Sequence, residues 1–119
     1  MRIVNQQEFI RLPLGTVYAR QFEGAFGEFE IKLETVDDHS WRYMDVSPAN
    51  INLDDTGNFY ETLKNVAKPE TETGMGFNNI YVENPNNVDF YGMTNDKYTY
   101  AVFSKWDIRN MVMLFQKFA

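Results

Sequence analysis

Few residues in this chain have the chemistry of a reactive site. His39 is its one histidine, and it stands in "VDDHS" beside Asp37 and Asp38. A histidine flanked by carboxylates can move a proton or help to hold a metal ion. A zinc site, however, takes three or four ligands and usually more than one His or Cys, and no second cluster supplies them. A calcium loop needs alternating acidic and amide ligands with a glycine at its bend, and that pattern is absent. The trio reads instead as a tight turn, where Asp side chains hydrogen-bond to nearby backbone. No metal and no other cofactor is expected.

Nucleophilic catalysis fares no better. Ser40, Ser47 and Ser104 are the only serines, and there is no cysteine. Ser40 follows His39 directly, but neighbours along a strand point to opposite faces. Ser104 is better placed to cap a helix. "GMG" at 74–76 resembles a fragment of a phosphate-binding loop, yet lacks the Gly-Lys-Ser/Thr and the helix that would follow. Asp37-Asp38 and Asp54-Asp55 sit at turn and cap positions, where carboxylates are ionised and solvated. These residues predict no enzyme.

Composition narrows the remaining classes. At 119 residues, 44% of them apolar and 16% aromatic, the chain suits one compact domain spanning 1–119 with a packed core. It has no run of 18 apolar residues, and "MRIVNQQEFIRLP" lacks the apolar segment and cleavage site of a secretory signal. A cytoplasmic location is expected, and the absence of cysteine fits a reducing compartment. A net charge of −6 and a pI near 4.7 speak against direct binding of nucleic acid or an anionic membrane, both of which want a basic patch.

The elements that must position any site can be read in order. Asn5 can cap a helix over about 6–12, with Glu8 as its reciprocal partner and Val4 and Phe9 as a hydrophobic staple. Pro13 and Gly15 end it. "TVYARQF" (16–22) reads as a strand. After the turn in "EGAFGE", Phe29, Ile31 and Leu33 alternate with Glu28, Glu30, Lys32 and Glu34, which predicts a strand with an apolar buried face and a charged wet one. "SWRYMDV" (40–46) would pair with it as a hairpin. Asp54, Asp55 and Thr56 suit the start of a second helix over roughly 56–67, with Phe59, Leu63, Val66 and Ala67 on one face. Further strands are predicted over 77–83, 88–92 and 97–103. The pattern predicts an α+β fold: a mostly antiparallel sheet of about five to six strands and three helices, with the C-terminal helix packed on the sheet.

That last helix carries the clearest surface question. In "SKWDIRNMVMLFQKF" (104–118), Ser104 and Asp107 form a capping box, with Phe103 and Ile108 as staple. At about 100° per residue, Ile108, Met111, Val112, Leu114, Phe115, Phe118 and Ala119 gather in one broad stripe, expected to be core. Trp106 and Met113 fall on the opposite side, with Arg109 and Asn110. Two readings stand for this second side. Trp106 folds back over a neighbouring loop and Met113 is an isolated surface residue; or Trp106, Arg109, Met113 and Asn110 form a contact patch, since interfaces concentrate Trp, Met and Arg. Such a patch would serve a foreign partner or a second copy of the chain equally well.

The strands hold a second candidate. Trp41, Tyr43 and Tyr81, with Asn79 and Arg42, are the residue types that stack a flat ligand, orient it with amides and grip a phosphate, Arg20 being another cation within reach. The same residues serve equally as core aromatics and turn asparagines.

The opening "MRIVNQQEFIRLPLGTVYAR" and the closing "YAVFSKWDIRNMVMLFQKF" together resemble a group of small accessory proteins of tailed bacteriophages. These tend to begin "IVN..EF..LP.GT.Y" and to end with an "AVF..xDI" strand-to-helix junction. The likeness covers the two ends and not the middle, and it rests on caps, staple and turn, so it carries over no functional residue. It implies a protein used inside an infected host cell, acting by binding. The leading expectation is a non-enzymatic protein that modulates or inhibits a host protein, such as a defence component, through the Trp106 patch. The second is a protein that sequesters a small nucleotide signal through the strand aromatics. The third, a phage structural or assembly component, would require self-association, and no coiled-coil or repeat pattern supports it.

Overall fold

The computed structural model describes residues 1–46, 80–88 and 92–119. Six strands, β1 (Arg2–Val4), β2 (Val17–Phe22), β3 (Ala25–Asp37), β4 (Ser40–Asp45), β5 (Ile80–Glu83) and β6 (Thr99–Val102), form an antiparallel sheet in the order β1-β6-β2-β3-β4-β5. Two α-helices accompany them among the described residues, α1 (Gln6–Ile10) and α2 (Lys105–Phe118). The fold is α+β. The helix expected over 56–67 lies outside the described residues, as do 77–79 of the 77–83 strand and 89–91 of the 88–92 strand; Val88 and Gly92 themselves are not in a strand.

Local chemistry sets the first elements. Asn5 Oδ1 accepts from the Glu8 amide at 2.9 Å and starts α1, whose single fully buried side chain is Phe9. Gly15, at φ +93°, turns the chain after Pro13 into β2. Glu23 and Gly24 both take positive φ and join β2 to β3 in two residues, the left-handed pair that matches the twist of a tight hairpin. A bulge in the β2–β3 ladder between Ala19 and Gln21 then re-aims the side chains near the hairpin end.

The core is an aromatic cluster on one face of the sheet. Phe9 drops from α1 onto Tyr18, Trp41 and Tyr100, with ring centroids at 4.5, 5.1 and 4.4 Å. Val4 completes it, and all five are at most 3% exposed. Each large side chain so buried contributes about 1.5–3 kcal/mol.

The alternation expected in β3 is present, but its faces are reversed. Tyr18 stands beside Glu30, and Glu30 beside Asp45, so Glu30 shares the face of the aromatic cluster. Glu30 and Lys32 are 8% and 1% exposed, whereas Phe29 is 42% exposed. Phe29 and Ile31 lie on the other face, in register rows with Ala19, Ala101 and Ile3 and with Val17, Met44 and Ile80. Periodicity reveals that a strand has two unlike faces. It does not say which one the covering helix takes, and here Phe9 and the three rings around it draw α1 to the side bearing the charges.

A second correction concerns α2, which does not pack on the sheet. None of its 14 residues is buried; Ile108 and Met111 are half-buried, and Val112, Leu114, Phe115 and Phe118 are 48%, 56%, 73% and 77% exposed. The junction explains this. Ser104 caps the helix only two residues after Val102, and the Met1 amino group, at the start of edge strand β1, holds Asp107 at 2.7 Å. The first turn is thereby fixed to the sheet's end and not folded back over its face. β1 itself was not anticipated, since three residues are too short for a period to show.

Candidate functional site

The surface of α2 is built from its first turn. Ser104 Oγ accepts from the Asp107 amide at 3.1 Å, and Asp107 Oδ2 accepts from the Ser104 amide at 2.7 Å. These bonds satisfy donors that a helix start otherwise leaves unpaired. The Met1 amino group first, and then these bonds, hold the Asp107 carboxyl down at about 2. On this fixed turn Trp106 is 71% exposed, and Met113, two turns further along, is 65% exposed. The Arg109 guanidinium lies 5.4 Å from the centre of the Trp106 ring, a cation–π spacing, and Asn110 is exposed beside them. The structure thus places Trp106, Arg109, Asn110 and Met113 on one open helix side, and the indole does not fold under a loop.

Of the strand residues named, the structure brings together Tyr43 and Tyr81 and sets Trp41 and Arg42 apart from them. Trp41 is fully buried and its Nε1–H donates to the Tyr18 hydroxyl at 3.2 Å, which closes it to a ligand. Arg42 and Tyr43, adjacent in β4, point to opposite faces; Arg42 pairs with Glu34, while Tyr43 stacks on Tyr81 at 5.4 Å. Asn79 lies outside the described residues.

Instead, the same face holds a charged network centred on Arg20. Its Nε donates to Glu30 Oε1 at 3.0 Å, and one terminal nitrogen donates to Glu30 Oε2 and to Glu83 Oε2, each at 3.2 Å. The Tyr18 hydroxyl donates to Glu30 Oε2 at 2.7 Å. The guanidinium sits 5.2 Å from the Tyr43 ring and 6.0 Å from that of Tyr98. Burial works against the Arg20 charge, but the Glu30 carboxylate overrides it and the net shift is upward. Burial, and then Glu30, push Tyr18 well above the ordinary phenol range and Tyr43 up to about 12. Neither phenol ionises near neutrality.

This network borders a cleft of about 340 Å³ floored by Arg20, Glu30, Tyr43 and Glu83. An adjoining, more apolar hollow of about 490 Å³ runs past Phe22, Phe26 and Tyr98. One guanidinium faces two carboxylates, so the cleft is net negative, and Asp45 beside Glu30 keeps one buried oxygen without a hydrogen-bond partner. A phosphate would meet repulsion there. Sequence reasoning named Arg20 as a cation for an anion and missed both of its partners. Glu30 could have been suspected from its place diagonal to Arg20 across the hairpin; Glu83, 63 positions away, left no local sign.

His39 lies in the β3–β4 turn, its amide donating to Asp37 Oδ1 at 2.8 Å. Among the described residues no group of three or more His, Cys, Asp or Glu side chains could hold a metal ion, and no helix is long and apolar enough to cross a membrane. Compared with protein-family models, curated proteins and solved structures, the chain matches none.

Proposed function

We propose that this is a non-enzymatic binding protein that modulates or inhibits a host protein through the Trp106–Arg109–Met113 side of α2, with Asn110 at its edge. The observation that carries this reading is a 14-residue helix, firmly capped, with no buried residue. A tryptophan with an arginine over its ring is also the kind of anchor that dominates binding energy when an interface closes on it. The resemblance to phage accessory proteins supplies the setting, an infected cell with a defence component among the targets. The nucleotide-sequestering alternative gains nothing from the strand face, because Arg20 is engaged by two carboxylates and Trp41 is interior.

The test is capture of a host protein by tagged wild type, followed by affinity measurement with that protein purified, against a variant carrying Trp106→Ala and Arg109→Glu. Both changed side chains are exposed, so the midpoint of urea unfolding should be little altered. The expected result is at least about a thirty-fold loss of affinity, the weight of an interface hot spot. Equal affinity of the two proteins would overturn the assignment.

A further inference from the structure

The other side of α2 calls for an occupant of its own. Val112, Leu114, Phe115 and Phe118 are each about half or more exposed, and the two phenylalanines alone present a few hundred Å². A monomer's largest apolar patch seldom exceeds about 300–600 Å², so the stripe is already of that order. The chain's own described sheet does not cover the stripe.

We propose that a second copy of this chain covers it, the two α2 helices packing antiparallel about a two-fold axis. Three features favour that occupant. Ile108, Met111, Phe115 and Phe118 are spaced three, four and three apart, a two-heptad seam of the kind that faces another helix. Reversed against itself, the seam sets the smaller residues of one half against the larger of the other, Ile108 against Phe118 and Met111 against Phe115, and it opposes the two helix dipoles. Lys105, Arg109 and Lys117 all lie off the seam, so no like charges meet across it. With Val112 and Leu114 at its flanks, the pairing would bury roughly 1,000 Å² in total, the lower bound for a specific interface. It leaves Trp106, Arg109 and Met113 pointing outward on each copy, so the dimer would show two such ridges. The pairing uses the opposite side of the helix from the host-binding reading and stands or falls without it.

Sedimentation equilibrium of the untagged protein over a concentration series tests this. Wild type should approach twice the chain mass of 14.0 kDa. Phe115→Glu, at a site 73% exposed, should remain folded and sediment at the single-chain mass, while the variant with Trp106→Ala and Arg109→Glu should still associate. Because the chain has no cysteine, orientation can be read separately. A variant carrying both Ile108→Cys and Phe118→Cys should oxidise to a covalent dimer, and Ile108→Cys alone should not. A wild type that stays at the single-chain mass throughout, a dimer that survives Phe115→Glu, or ready cross-linking of Ile108→Cys alone would each overturn the proposal.

Discussion

Arg20 shows how much one side chain can organise. It neutralises part of Glu30 and Glu83, both largely buried, and lies against the Tyr43 ring. Replacing it with methionine keeps the bulk and strands two carboxylates, which should destabilise the fold by about 3–5 kcal/mol, measurable by urea unfolding. Tyr18→Phe is milder, because it removes one donor to Glu30 and the acceptor for the Trp41 indole; about 1–3 kcal/mol is expected. Asp107 gives a pH signature. Its folded-state carboxyl is held near 2, below the ordinary 3.8, so its stabilisation is complete above about pH 4 and lost as pH falls toward 2. Asp107→Asn should flatten that part of the acid-unfolding profile. At this scale the sequence was half legible: Asn5, Ser104 and Asp107 announce their roles through spacing alone, but Glu30 looked wet because a charge in an alternating strand usually is, and Glu83, the second carboxylate on Arg20, comes from a distant strand.

At the scale of elements, the two helices contrast. α1 is short, and Phe9 holds it through contact with three rings; Phe9→Ala should cost about 3–5 kcal/mol and loosen the N-terminal segment as a unit. α2 depends on its own start. Ser104→Ala should cost about 1 kcal/mol and appear as reduced far-UV helicity with little change in the near-UV signal of the aromatic cluster. Strands β2, β3, β4 and β6 were readable from two-residue periods and turn residues, and α2 from its capping box. What escaped was the covering of each face. An amphipathic stripe states how wide an apolar surface is, not what lies on it, and the same ambiguity misassigned both faces of β3 and the resting place of α2.

For the whole molecule, the described residues put the buried aromatic cluster and the Arg20 ion pairs on one side of the sheet and leave apolar surface on the other side and along α2. A protein arranged this way should have a melting temperature that rises with its own concentration, as mass action requires of any associating fold. The rise should vanish in Phe115→Glu. The alternation of strand and helix patterns made the α+β class legible, whereas the contact between the Met1 amino group and Asp107 at the start of α2 joins residues far apart in sequence, which no local pattern encodes.

The charged side of the sheet has a further consequence for how the chain finds its alignment. Apolar residues are poor rulers here, because β3 carries its apolar ones on the open face, while β2 and β6 place apolar residues on both faces, Tyr18 and Tyr100 on one and Ala19 and Ala101 on the other. Slide β3 by a single residue against β2, and every side chain changes faces: Glu30 leaves Arg20 and Tyr18. Misaligned hairpins would thus be rejected by stranded charge before any difference in packing could be felt. The costly interior position of Glu30 acts as a proofreading mark, set by one glutamate and read by one arginine.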